Sequence, residues 1–257
     1  MVKLRYLLKV LEVASVDWII DPIVVRFEEQ GIIMANLSEG YTMLAHVVIP
    51  VGGKLATVEG AEKVATAPVV AGEYEPIGEV VFSEDIVKQL KKMFKGDETV
   101  RLMADANNIT IEGTTERFTF GRQILERQMP SIEFTETEYG LILAKPKVLG
   151  IYNIDVTQLA NLAYEDVMTF KFEQDGVTVS TNVAGGRYEV KLRTFAVKQA
   201  PPSRQVQVFD GEYIEALAKT MDVETAWLVV TEEPLHILIK DPKYPYNATF
   251  VLMPRMG

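Results

Sequence analysis

Four lysines, Lys88, Lys91, Lys92 and Lys95, punctuate the stretch FSEDIVKQLKKMFKGDE, which runs from Phe82 to Glu98. Spacings of three and four residues return side chains to one face of a helix. The chemistry open to such a set is electrostatic: fixed cations neutralise phosphates without reading bases or breaking bonds. An ordinary solvated face is the other reading, but such faces usually mix Glu with Lys, and no acid falls inside this one. The chain carries a net charge of −10, so a concentrated cationic stripe suggests a surface aimed at a polyanion.

Other reactive constellations are scarce. The two histidines, His46 and His236, lie in apolar, strand-like runs where a structural role outweighs catalysis. Carboxylates are scattered over turns and helix starts, where they serve solubility and capping. No metal-ligand spacing or nucleophile motif is present, and Gly52-Gly53-Lys54 lacks the spacing of a phosphate-binding loop. The absence of cysteine excludes disulfides, thiol catalysis and cysteine metal sites, and fits a reducing compartment. These residues advertise neither an enzyme nor a cofactor.

The lysines need a helix to align them. Ile86, Val87, Leu90, Met93 and Phe94 form its apolar side, Ser83 the N-cap, and Gly96 the exit, with Glu84 and Asp85 suiting its start. A second amphipathic helix is expected in MVKLRYLLKVLEVASV, because Lys9, Glu12 and Asp17 interrupt the apolar run too soon for a secretion signal. No stretch approaches the length of a membrane span.

An internal repeat organises the rest. VVRFEEQGIIM at 24–34 recurs as TFKFEQDGVTV at 169–179, with Phe27, Glu28 and Gly31 matching Phe172, Glu173 and Gly176. Each reads as strand, turn, strand. Phe82–Leu102 likewise pairs with Phe209–Leu228 as strand, amphipathic helix, strand. Residues 1–124 and 125–257 each hold 13 basic and 18 acidic side chains, so neither half is a basic arm. The expected fold class is α+β, two tandem β-rich domains at 1–123 and 141–257, joined by an extended acidic connector at 124–140 that Pro130 breaks. Residues 51–78 read as a hairpin with a loose loop.

This pattern resembles the DNA sliding clamps of the proliferating cell nuclear antigen family, archaeal and eukaryotic type, in a divergent form. YLLKVLEVAS, RFEEQGIIMANLSEGYTMLAHVVIP, IGEVVFSEDIVKQL and the ending EEPLHILIKD…FVLMPRM carry the resemblance, the ending most tellingly. It implies a non-enzymatic homotrimeric ring around duplex DNA, helices lining the hole and sheets outside, without a cofactor. DNA contact would fall to Lys9, Lys88, Lys91, Lys92, Lys95 and Lys219. Subunits would join through strand edges at Arg117, Phe118 and Phe120 and at Arg187, Tyr188 and Val190. Polymerase, clamp loader and other replication proteins would insert a short peptide motif into an apolar pocket. Its wall, open to solvent, would comprise Leu37, Tyr41, Leu44, Met129, Pro130, Pro234, Leu252 and Pro254.

The implied location is the cytoplasm, on the nucleoid, or the nucleus. The second half departs from the pattern: its helix presents Glu215, Ala218, Lys219 and Asp222, and another helix is expected from an Asp155–Gln158 capping box with no basic residue. An oligomeric scaffold that does not encircle DNA is therefore the alternative function. A β-rich ligand-binding enzyme stands third, without a catalytic cluster to support it.

Overall fold

A computed structural model describes residues 1–50, 73–123, 132–144, 146–162, 166–240 and 246–255. The chain forms two compact units. Unit 1 draws on residues 1–36, 46–130 and 241–247, and unit 2 on residues 37–45, 131–240 and 248–257. Met129, Pro130 and most of the loop expected at 51–78 lie outside the described residues.

Unit 1 runs β1 (Val2–Lys3), α1 (Leu4–Ser15), β2 (Ile23–Glu28), β3 (Gly31–Leu37), β4 (Met43–Pro50), β5 (Gly78–Phe82), α2 (Glu84–Met93), β6 (Thr99–Ala104), β7 (Asn108–Glu112) and β8 (Arg117–Gly121). Met43–Ala45 of β4 group with unit 2. One sheet has the order β1-β6-β7-β8, and β4-β3-β2-β5 are neighbours in another. Alternation along β7 buries Ile109 and Ile111, and the Phe82 and Phe120 rings meet at 5.9 Å to tie β5 to β8. Helix α1 buries Leu4, Leu7, Leu8 and Leu11, spaced as one face requires.

Unit 2 runs β9 (Phe134–Thr137), β10 (Gly140–Leu143), β11 (Val148–Asp155), a 3-10 helix (Val156–Asn161), β12 (Val167–Glu173), β13 (Gly176–Val183), β14 (Gly186–Leu192), β15 (Thr194–Gln199), β16 (Gln205–Asp210), α3 (Gly211–Thr220), β17 (Thr225–Thr231), β18 (Leu235–Ile239) and β19 (Asn247–Leu252). Its sheets have the orders β14-β13-β12-β16 and β15-β11-β17-β18-β19. Tyr152 bridges them: its ring lies 5.9 Å from Phe172 and its hydroxyl donates to the Glu173 carbonyl at 2.9 Å.

The repeat is visible in register. Glu28 pairs with Gly31 across one turn and Glu173 with Gly176 across the other. Glycine is required at both. A Cβ on Gly31 would drive into the Ile49 carbonyl oxygen, and one on Gly176, whose φ is +144°, would sit 2.9 Å from Thr194 Oγ1.

Two expectations from sequence change. Residues 134–143, largely assigned to the extended connector, fold as the β9–β10 hairpin. Ile142 packs on Val229 and Leu238, while the Tyr139 and Trp227 rings meet at a tilt with centroids 4.4 Å apart, so apolar burial outweighed the acidic composition. The helix expected from Asp155 is a single 3-10 stretch of 6 residues. Asp155 Oδ1 does accept from Thr157 N–H at 3.0 Å, but the reciprocal half of the capping box is missing. The Asp155 amide donates to the Arg193 carbonyl at 2.9 Å, and Gln158 Oε1 accepts from Arg193 N–H instead. Strand pairing took the partners that an α-helix needed.

Candidate functional site

Helix α2 forms where the pattern put it. Ser83 caps it, its side chain accepting from Ile86 N–H at 3.3 Å, and Glu84 and Asp85 occupy the positive first turn. The helix stops at Met93 with Phe94 already extended, ahead of the expected exit at Gly96. Val87, Leu90 and Phe94 are buried, Ile86 is half-buried, and Met93 is exposed at 37%, so the apolar stripe is narrower than expected.

Lys88, Lys91, Lys92 and Lys95 all reach solvent, but the face is not free of acid. Lys88 pairs with Glu84 at 2.7 Å one turn earlier, and this bond holds the ammonium above its ordinary pKa. Lys91 lies 3.9 Å from Glu12, which α1 contributes. Lys92 and Lys95 have no ion pair among the described residues. Lys9, on α1, is half-buried. On α3, Lys219 is exposed and pairs with Glu215 at 2.8 Å. The first unit therefore carries the concentrated charge, and two of its four lysines in this stretch hold an acid.

Both strands singled out for assembly end a four-stranded sheet. β8 follows β7 at one edge, and β14 lies beyond β13 at another; neither has an outer partner among the described residues. On β8, Phe118 and Phe120 share one face at 5.6 Å and Arg117 takes the other. On β14, Tyr188 is exposed at 39% and Val190 half-buried, while Arg187 pairs with Glu189 at 2.7 Å.

The residues assigned to the partner pocket separate by exposure. Leu44 and Leu252 are buried at 4% and 2%, and Pro234 is buried too, so the expectation that they present an open wall is corrected. Leu44 and Leu252 belong to strands whose inward positions pack into the core, and Pro234 lies in the turn just before β18. Leu37 and Pro254 are half-buried, and Tyr41 is exposed at 72%. Tyr41 sits in a tight turn with φ of 55°, held by its N–H donating to the Ser38 carbonyl at 3.0 Å. The Met253 N–H donates to the Thr42 carbonyl at 2.8 Å, bringing a second exposed apolar side chain, Met253 at 39%, beside that turn. Sequence reasoning missed Met253. Strand alternation could have found it, since a buried Leu252 turns its neighbour outward.

The whole chain can be laid on known structures. It matches a structure of the C-terminal region of FEN-1 bound to A. fulgidus PCNA with a TM-score of 0.70 and 12% identity, covering 100% of this chain and 98% of that one. PCNA from Entamoeba histolytica matches with a TM-score of 0.71 and 14% identity, over 99% and 96%. The PCNA2–PCNA3 complex from Sulfolobus tokodaii matches at 0.67 and 16%, over 99% and 98%. The fold is that of a PCNA-type sliding clamp. No protein-family model matches the sequence, and no curated protein matches it. The clamp fold is thus carried by apolar alternation and turn positions rather than by shared residues. In this chain the acid opposite Lys91 comes from α1, a relation no local sequence pattern encodes.

Proposed function

We propose that this chain is a non-enzymatic processivity factor, three copies of which close a ring around duplex DNA and tether replication enzymes to it. The observation that carries this reading is the end-to-end likeness to PCNA clamps. The open edges of β8 and β14 support closure, since each copy offers unpaired strand groups for another to complete. A ring holds DNA by topology, so its lysines need only weak, non-specific phosphate contacts that permit sliding. The test is retention: the chain stays with closed circular DNA through gel filtration and leaves when that DNA is cut once. Equal retention on circular and linear DNA overturns the ring.

Lys92 and Lys95, which form no ion pair among the described residues, carry more of the DNA contact than Lys88 and Lys91. Lys92→Ala/Lys95→Ala is expected to lower the log–log salt slope of DNA binding by roughly 1 for each phosphate that is no longer neutralised. Lys88→Ala/Lys91→Ala should lower it less, with both variants melting like the wild type. Indistinguishable slopes for the two double variants would reject this ranking.

Assembly through β14 makes a second prediction. Tyr188→Lys places a charge on the open edge and should yield a folded monomer by sedimentation. A trimer of this variant locates the interface elsewhere.

One similar structure holds a FEN-1 segment on PCNA. For this chain, a polymerase, clamp loader or other replication protein would dock a short peptide beside the exposed Tyr41 and Met253. A second reading, an oligomeric scaffold that does not encircle DNA, is favoured by the Lys88, Lys91 and Lys219 ion pairs, which reduce the free positive charge. The retention experiment separates the two.

A further inference from the structure

We infer that the outer edge of β15 is a docking site for an acidic, extended segment of a partner protein, which adds to it as a further strand. This site is separate from the assembly edge on β14. Arg193 alone lies between the two strands, yet β14 ends one sheet of unit 2 and β15 ends the other. A strand added along β14 extends the β12–β13 sheet, whereas one added along β15 extends the β11–β17 sheet. Among the described residues, β15 pairs only with β11.

The edge carries the charges and bulges that natural edges use, and one bulge here sets out an aromatic side chain. Natural edges are blunted by charges and by bulges that turn the strand away. β15 has two register shifts against β11: Ile154 and Asn153 pair with Thr194 and Ala196, skipping Phe195, and Tyr152 and Ile151 pair with Val197 and Gln199, skipping Lys198. A bulge re-aims the skipped side chain. Here the first presents an aromatic ring, Phe195 exposed at 48%, with Val197 exposed at 37% nearby. The Arg193 guanidinium lies over the Phe195 ring at 4.8 Å. An apolar anchor on an open edge is what an incoming strand can bury.

Charge specifies the partner. Between Glu189 and Asp210 the chain carries Lys191, Arg193, Lys198 and Arg204 and no acid, in a protein of net charge −10. Lys191 and Arg204 are met by Asp175 and Glu173. Arg193 and Lys198 flank Phe195 and have no ion pair among the described residues. Two free cations beside open strand groups and apolar side chains fit alternating acidic and apolar residues. They suit a nucleic acid less, since it would leave the strand groups and Val197 unmatched, and Arg193 already covers a face of the ring.

The test titrates the full chain against a fluorescein-labelled dodecapeptide of alternating Glu and Val, followed by fluorescence anisotropy. Saturable binding is expected, weakened about tenfold in Arg193→Glu/Lys198→Glu and about tenfold when alternate peptide nitrogens are methylated. The methylated peptide tests strand addition on the wild-type chain, whether or not the charge-reversed variant folds. Absence of saturable binding, or equal binding of the methylated peptide, overturns the proposal. So does binding of a labelled twelve-nucleotide oligo-dT without binding of the peptide. Self-association of the wild type that Arg193→Glu/Lys198→Glu abolishes would give the edge to a second copy and overturn it too. None of these outcomes depends on retention on circular DNA.

Discussion

Leu44→Asp is expected to destabilise the fold by about 3–5 kcal/mol, with loss of peptide binding only as a consequence of unfolding. Leu44 is exposed at 4% between Met43 at 1% and Ala45 at 0%, so the carboxylate would be buried. A group so placed either stays charged at a large desolvation cost or takes up a proton, and both weaken the native state. Tyr41→Ala provides the contrast. That ring is exposed at 72%, so its removal should leave urea melting nearly unchanged while weakening a docked peptide by tenfold or so. Normal melting of Leu44→Asp combined with lost binding would restore Leu44 to an open pocket wall and displace Tyr41 as the anchor.

The second large effect is acid lability in the window between pH 6.5 and 4. His236 is fully buried, and burial pushes its pKa down to about 4. Its Nε2 accepts from the Leu143 amide at 3.2 Å, a bond that requires this nitrogen unprotonated. In the unfolded chain the imidazole titrates near its ordinary 6.5. Between the two values the unfolded state binds a proton that the folded state refuses, so stability falls as the pH falls. Over that interval His236 removes about 3 kcal/mol. His46, also lowered to about 4 by burial, acts in the same direction. The paired carboxylates Asp175 and Glu189 are held below their ordinary range by Lys191 and Lys171, so their contribution is lost at lower pH. Urea titrations from pH 7 to 4 should show this decline, and His236→Gln should reduce its slope by about half. A wild-type stability that stays level across the interval rejects the assignment.

What the sequence disclosed was local and periodic. Val87 and Leu90 of α2, the Ser83 cap and both strand–turn–strand segments follow from spacings within a few residues, whereas the edge roles of β8 and β14 came only with the family resemblance. What it hid depended on the third dimension. Whether Leu44 faces a core or an opening is not written in its apolarity, and Tyr41 declares itself only through the turn around it. Glu12 neutralises Lys91 from a helix some eighty residues away in sequence, so the acid-free face on paper is an acid-bearing face in space. The Asp155 signal was real, but its meaning was set by Arg193, a distant residue that occupied both ends of the capping box.

The edges of β8 and β14 are different surfaces, and this decides how copies can count themselves. Two identical patches meeting across a two-fold axis stop at a pair. A β8 edge that meets a β14 edge leaves one of each kind unused at the ends of the growing assembly. Such head-to-tail growth has no stopping rule in the strength of its contact; the angle turned at each junction sets the number of copies. In the proposed trimer that angle is one third of a revolution. A substitution that altered the angle and preserved the pairing would change the geometry of the product before its affinity, converting closed rings into open helical filaments. Filament formation is therefore a failure mode of the proposed ring distinct from dissociation, and electron microscopy would register it where a monomer assay would not.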